Sequence, residues 1–393
     1  MVIAFYQGAV VLELAGKKDR SKEVSVRTAQ LVQLLTEVGP DIPEIARSLG
    51  QFKESVRYRY KEKILNKGFA VQASVDHERL GLKRMVAILG FSADYEGYAQ
   101  SILTAMSELC YVQSFAKTLP DGRYVVNVSV PAVHLPAMSS LLHRLKERGM
   151  FNHVDLLEFD WFRNPPMKAE FYDFDEGRWD FDFAGPHPTN TEAARYRPSG
   201  PARFDRTDLL IIRRLQKDAN VSLKEIADEL KMNYKKLAWH YNTHVVGRNL
   251  LRGYSVRWTG TKYDFKVEKA LHRKHRYIPG MLVVKDVDAL DMAYIRQKAN
   301  QLPFLWAEAG GRNYYAEFAF PVDYLTESLL YVSDAVSKVK EKVKMFAVDQ
   351  TNAISFSVAP QLFDERSRQW VFNTEELTMR FENLIQQVKR ETG

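Results

Sequence analysis

The sequence predicts an α+β protein in which one two-part unit occurs twice, and three observations carry that prediction. Residues 42–60, IPEIARSLGQFKESVRYRY, align without gaps on residues 223–241, LKEIADELKMNYKKLAWHY, at a constant offset of 181. A second echo, YVVNVSVPAVHL from Tyr124 against YYAEFAFPVDYL from Tyr314, follows at an offset of 190. Within each half the hydrophobic period is first helical and then switches between alternation and helix. The economical order is A, B, A′, B′.

Composition agrees with several soluble units. A chain of 393 residues exceeds the roughly 100–200 residues of an ordinary domain, and 46% hydrophobic with 27% charged residues excludes a disordered chain. The longest stretch free of Asp, Glu, Lys and Arg, Tyr124 to His143, contains Pro131 and Pro136 and begins with period two, so no membrane span is expected. The opening MVIAFYQGAV lacks a basic n-region, and no signal peptide is expected. Cys110 is the single cysteine, which excludes an intrachain disulfide and a multi-cysteine zinc site and fits a cytoplasmic location. Lys and Arg outnumber Asp and Glu by 56 to 49, for a net charge of +7 and a pI near 9.1, a mild pointer to polyanions.

Each A unit reads as three short helices and a strand pair, over 24–78 and 204–258. Leu31, Leu34, Leu35 and Val38 in the first copy, and Leu209, Ile212 and Leu215 in the second, repeat at helical spacing. Ser222 with Glu225 forms a capping box for the second helix, and Asp41 with Glu44 and Pro43 is its weaker counterpart. Asn233 is the expected N-cap of the third helix. Gly68 and Gly253 are expected to end the helical region before GFAVQASV and GYSVRW, which alternate as wing strands. This is the pattern of a winged helix-turn-helix.

Each B unit, 82–162 and 278–359, reads as strand, helix, strand, strand, helix, strand, the βαββαβ order of a ferredoxin-like module. In the second copy the last helix is expected over 324–342 and the last strand over 353–358. Residues 163–203, rich in Pro and aromatics, read as a linker, and 360–393 as a helical tail. Within the linker, Glu170 to Phe183 carries six acids against Arg178 alone. It is expected to form a hairpin that packs its aromatics on a domain or docks on a basic surface.

The two segments IPEIARSLGQFKESVRYRYKEKILNKGFAVQASVDHERLGL and FDRTDLLIIRRLQKDANVSLKEIADEL, each followed by a βαββαβ pattern, resemble the leucine-responsive/asparagine-regulator (Lrp/AsnC, feast/famine) transcription regulators. The resemblance implies double-stranded DNA as partner, assembly as a homo-oligomer through the ferredoxin-like modules, and a small-molecule effector near the turns before the third module strand. Those turns hold Asp121 and Gly122 in one copy and Gly310 and Gly311 in the other. A tandem chain would form within one polypeptide what the family builds from two.

The third helices supply the candidate DNA contacts. Val56, Tyr60 and Ile64 recur at i, i+4, i+8 and should face the core, leaving Lys53, Arg57, Tyr58 and Lys61 outward. In the second copy Leu237, Tyr241 and Val245 mark the core side and expose Lys235, Lys236, Trp239 and Asn242. His240 and His244 have a spacing that could share a metal, but no third ligand is evident, so no metal is expected and the pair reads as polar surface. The stretch Lys262 to Tyr277 carries six Lys/Arg against two acids and suits phosphate or a solvated connector. No nucleophile elbow or phosphate loop is found, and neither catalysis nor a cofactor is expected.

The resulting expectation is a sequence-specific DNA-binding transcription regulator and not an enzyme. Two alternatives stand beside it. The siroheme decarboxylases resemble the same two-part architecture and would be expected to hold a tetrapyrrole between modules with His and Arg residues. The other is an architectural protein that binds DNA without sequence choice.

Overall fold

The computed structural model describes residues 26–185, 200–258 and 277–392. The opening MVIAFYQGAV, most of the basic stretch from Lys262 and the segment HPTNTEAARYRPS lie outside the described residues.

The chain begins with three helices, α1 (26–38), α2 (Ile42–Leu49) and α3 (Lys53–Arg59). Asp41 caps α2 by accepting the Glu44 N–H at 3.0 Å, as its position before Pro43 predicts. Helix α3 runs on through a π-helical turn, Tyr60–Ile64, and Val56, Tyr60 and Ile64 are all buried. Gly68, in the left-handed region, then turns the chain into β1 (Phe69–Val75).

The first mixed unit follows as β2 (Leu82–Phe91), α4 (Ala93–Glu96), α5 (Ala99–Leu109), β3 (Val112–Leu119), β4 (Tyr124–Pro131), α6 (Leu135–Glu147) and β5 (Phe151–Glu158). A short strand, β6 (Trp161–Arg163), and a hairpin, β7 (Tyr172–Asp173) with β8 (Arg178–Trp179), come next. The second half repeats the plan. Helices α7 (Arg206–Lys217), α8 (Leu223–Glu229) and α9 (Tyr234–Trp239) lead to β9 (Leu251–Trp258). Then come β10 (Tyr277–Val284), α10 (Ala289–Ala299), β11 (Leu305–Gly310), β12 (Tyr314–Pro321), α11 (Leu325–Ala335) and β13 (Val343–Ser355). A hairpin of β14 (Phe363–Asp364) and β15 (Gln369–Trp370) and the helix α12 (Thr374–Thr392) close the chain.

The two mixed units make one antiparallel sheet, in the order β5-β2-β4-β3-β13-β10-β12-β11-β6. Each half contributes four strands in the split βαβ order, and the halves are joined by strands that cross over. β13 pairs with β10 through residues 343–347 and then with β3, while β6, continuing from β5, pairs with β11 at the far edge. Both crossings run between the halves, so the sheet closes on itself around Val86, Ile88, Val125 and Phe159 from one half and Met281, Val283, Tyr315 and Val348 from the other.

Four expectations need correction. Each three-helix unit supplies one wing strand and not two, because β1 and β9 pair with each other, Phe69 opposite Trp258 and Val71 opposite Val256. Gly253 does not end the helical region but lies inside β9 at φ +109°, where a Cβ would stand 2.5 Å from the Thr36 carbonyl oxygen of α1. The last module helix reaches its expected end at Lys342, but as an α-helix only to Ala335 and a 3-10 helix over Ser337–Lys342, and the last strand starts at Val343, ten residues earlier than expected, since the Val/Lys alternation of 339–344 satisfies either period. The stretch 163–203 is not simply a linker. Arg163 closes β6, and the hairpin expected within the stretch does form, with Tyr172, Phe174, Trp179 and Phe181 buried against Phe69 and Phe304.

That hairpin is itself repeated. Tyr172, Asp173, Trp179 and Phe181 correspond at an offset of 191 to Phe363, Asp364, Trp370 and Phe372, and Asp173 and Asp364 both cap their turns. The cores cross between the halves. The first three-helix unit and first hairpin share a cluster with Leu282, Phe304 and Phe318 of the second sheet half, while the second unit and second hairpin pack with Leu89, Phe115 and Tyr111 of the first.

Candidate functional site

Two surfaces concentrate positive charge. The first is the outer face of the third helices. Lys53, Arg57, Tyr58 and Lys61 are exposed, as are Lys235, Lys236, Trp239 and Asn242, so all eight anticipated positions point to solvent. The caps fix this orientation. Ser222 and Glu225 close a reciprocal box on α8, and Asn233 accepts the Lys235 N–H at 2.9 Å at the start of α9. Among the described residues none of these lysines or Arg57 is in an ion pair, whereas Lys63 on the inward side is paired with Asp175 of the first hairpin. Unneutralised cations on an exposed helix face are suited to phosphate and base edges.

The second surface was missed by the sequence reading. Between the paired wing strands and the sheet lies a cleft of about 810 Å³, continuous with a chamber of about 330 Å³ over Asn127, Arg257, Tyr277 and Glu317. Its cations are Arg84, Arg257, Arg213 and Lys217, with His77 at one wall. Burial lowers the Arg84 guanidinium to about 9, with Glu317 opposing that shift and Arg257 and Arg252 adding to it. Arg84 stacks at 3.8 Å over Phe162, and its Nε has no partner among the described residues. Burial, and then the Arg84 charge, hold His77 well below 6.5, so it is neutral. The four cations of the cleft outnumber its acids, Glu108 and Glu317, an excess of positive charge of the kind that suits an anion. Two histidines of the first mixed unit, which the siroheme-decarboxylase alternative would draw on, do not line this cleft: His134 lies against Phe372 and His143 is exposed on α6.

The turn residues expected near an effector are differently placed. Asp121 accepts from the Thr118 hydroxyl and pairs with Arg123, with Gly122 beside it at φ +67°. Gly310 and Gly311 are covered by β6, for a Cβ on Gly310 would meet the Trp161 ring at 2.3 Å and one on Gly311 the Asp160 carboxylate at 2.9 Å.

His240 and His244 are buried, not polar surface, and the structure supplies the further ligand types that the sequence did not reveal. Asp208, fully buried, and Asp205 converge on both imidazoles.

Residues 204–243 match the winged helix-turn-helix DNA-binding family. That match spans α7, α8 and α9 with the turn after them. No curated protein matches the chain by sequence. Among solved structures, the siroheme decarboxylase NirDL superposes with a TM-score of 0.50 at 11% identity, covering 92% of this chain and 99% of that one. The same enzyme in complex with an iron-uroporphyrin III analogue gives 0.49 at 11% identity, over 91% of this chain and 98% of that one. The first of these overturns the expectation that the chain is not an enzyme: its architecture along almost its whole length is one that an enzyme also uses. Among the described residues no helix is long and apolar enough to cross a membrane.

Proposed function

We propose that the chain is a DNA-binding transcription regulator of the Lrp/AsnC type, with two winged helices and two ferredoxin-like modules in one polypeptide. The observation that carries this reading is the outer face of α3 and α9, where Lys53, Arg57 and Lys61, and Lys235 and Lys236, are exposed without acidic partners among the described residues. The family match at 204–243 supports it for the second copy, and the corresponding core residues Val56, Tyr60 and Ile64 support the same role for the first. Selection of bound DNA from a random pool by the full chain tests it. The expected result is an enriched motif whose affinity falls steeply with salt, at a logarithmic slope of roughly −0.9 per phosphate neutralised. Binding without enrichment would favour an architectural role, and no binding would overturn the reading.

A second reading is favoured by the cleft. Arg84, Arg257, Arg213 and His77 offer guanidinium forks and a neutral imidazole to a ligand bearing several carboxylates, and siroheme decarboxylase NirDL, of like fold, acts on such a tetrapyrrole. Titration with an iron porphyrin carrying carboxylates, followed by visible absorption, is expected to show a saturable shift that Arg84→Met weakens at least tenfold. An unshifted spectrum would remove it.

A further inference from the structure

We propose that Asp205, Asp208, His240 and His244 form a site for one zinc-class divalent metal ion, tying the start of α7 to the third helix of the second unit. The four side chains come from two places. Asp205 and Asp208 are the N-cap and third residue of α7, and His240 and His244 lie one turn apart in the π-helical segment that continues α9.

The spacing of the ligand atoms is that of a small tetrahedron. With one atom from each residue, all within 4.8 Å of one another, His240 Nδ1 stands 2.9 Å from Asp208 Oδ1 and 3.6 Å from Asp205 Oδ2, and His244 Nδ1 stands 3.1 Å from Asp208 Oδ1 and 3.9 Å from Asp205 Oδ2. Metal–ligand bonds of about 2.0–2.1 Å imply edges of about 3.3 Å between ligands, and the measured values straddle that figure. Two nitrogens and two carboxylate oxygens suit Zn²⁺, whereas Mg²⁺ and Ca²⁺ require six or more oxygens.

Charge points the same way. The cluster holds two facing carboxylates, and among the described residues neither is paired with a lysine or arginine. A dication balances them. The backbone orients the ligands in advance, because Asp205 Oδ1 accepts the Asp208 N–H at 3.1 Å and Asp208 Oδ2 accepts the Asp205 N–H at 2.9 Å. Such outer contacts are what hold metal-ligating side chains in place. Four protein ligands leave no open position, so the site is structural rather than catalytic.

The first copy provides an internal contrast. Matching the buried positions Ile211 and Ile212 to Leu31 and Val32 puts Thr28 where Asp208 stands, and the third-helix alignment puts Arg59 and Lys63 in place of the histidines. No ligand set exists there, so the stoichiometry should be one per chain and not two. Trp239 covers the cluster from outside, its ring 4.7 Å from that of His244 and 5.1 Å from that of His240, and it lies on the exposed third-helix face. An ion bound here would therefore sit directly behind a candidate DNA contact.

The test uses the full chain stripped with a chelator, then titrated with Co²⁺ and Zn²⁺, with Mg²⁺ and Ca²⁺ as controls. One Co²⁺ per chain with the visible bands of tetrahedral cobalt, displaced by Zn²⁺ and accompanied by a raised melting temperature, is the expected result. His240→Ala with His244→Ala should abolish uptake. Because that pair is buried and its loss could unfold the unit, Asp205→Asn is the deciding variant: asparagine caps a helix as well as aspartate, so the metal-free melting temperature should hold while affinity drops at least tenfold. Wild-type protein that takes up no Zn²⁺, or Asp205→Asn protein that binds it as tightly as wild type, would overturn the proposal.

Discussion

Arg57 and Lys61 face solvent one turn apart on the third helix, while Arg59 between them turns inward to Gln51 at 2.8 Å and Lys63 to Asp175. The helical period thus separates cations kept for a partner from cations spent on the fold. Arg57→Ala with Lys61→Ala should leave stability alone and weaken duplex binding by at least about 1 kcal/mol, and unchanged affinity in a filter-binding titration would remove this helix from the interface. His77 shows the opposite case, a titratable group closed off by the fold. Its value in the folded chain is depressed by burial and by Arg84, so the unfolded chain binds a proton below about pH 6.5 that the folded chain refuses. Stability should therefore fall as pH drops through that value, by up to about 1.4 kcal/mol per pH unit from this residue. Denaturation at about pH 7 and about pH 5 should show wild type losing more than His77→Gln; equal losses would mean that His77 charges within the fold.

The elements differ in how well the sequence announces them. Caps and long periodic segments were legible because their signals are local: Asp41, Ser222 and Asn233 each bind a backbone N–H two or three residues on. The crossing strands were not. β6 has three residues and β13 begins in a Val/Lys run that fits a helix equally, so both gain their conformation from partners far away, Glu308 to Gly310 and Gly280 to Val284. The cleft and the Asp/His cluster were hidden for the same reason, since Asp208 lies 32 residues from His240 and Arg84 far from Arg257 and Glu317. The hairpin of β7 and β8 had a legible echo at residues 363–372 that two-residue strands make faint. Its role follows from where its aromatics go. Trp179 meets Tyr172 at 5.1 Å and Phe304 at 6.1 Å, joining the first three-helix unit to the second sheet half. Trp179→Ala should cost about 3–5 kcal/mol in a thermal or denaturant melt. Exposed ion pairs contribute less than about 1 kcal/mol, so changing Asp173, Asp175, Asp180 and Asp182 to Asn should leave DNA affinity within about threefold. Tenfold tighter binding would instead make the acidic hairpin a competitor of phosphate.

At the scale of the molecule the two halves, alike in element order, are unequal where they meet. Asn127 and Glu317 occupy equivalent positions at the offset of 190, and they touch: Asn127 Nδ2 donates to Glu317 Oε1 at 3.2 Å, which also accepts from the Tyr315 hydroxyl at 2.5 Å. Two identical halves would set this position against its own copy. Asn127 facing Asn127 is tolerable, whereas Glu317 facing Glu317 would bring two half-buried carboxylates together. The wing strands β1 and β9 pair only with each other, and each three-helix unit shares its core with the sheet half of the other repeat. A chain divided within residues 186–199 should therefore give two fragments that fold only together. Expressed alone, the second fragment lacks the partner for β9, for the β3 side of β13 and for Glu317, and it should aggregate or remain unfolded. Expressed with the first, it should copurify at one to one and melt in a single transition. Light scattering and calorimetry decide the matter, and two separately folded monomers with independent transitions would show that the crossed cores contribute little to either half.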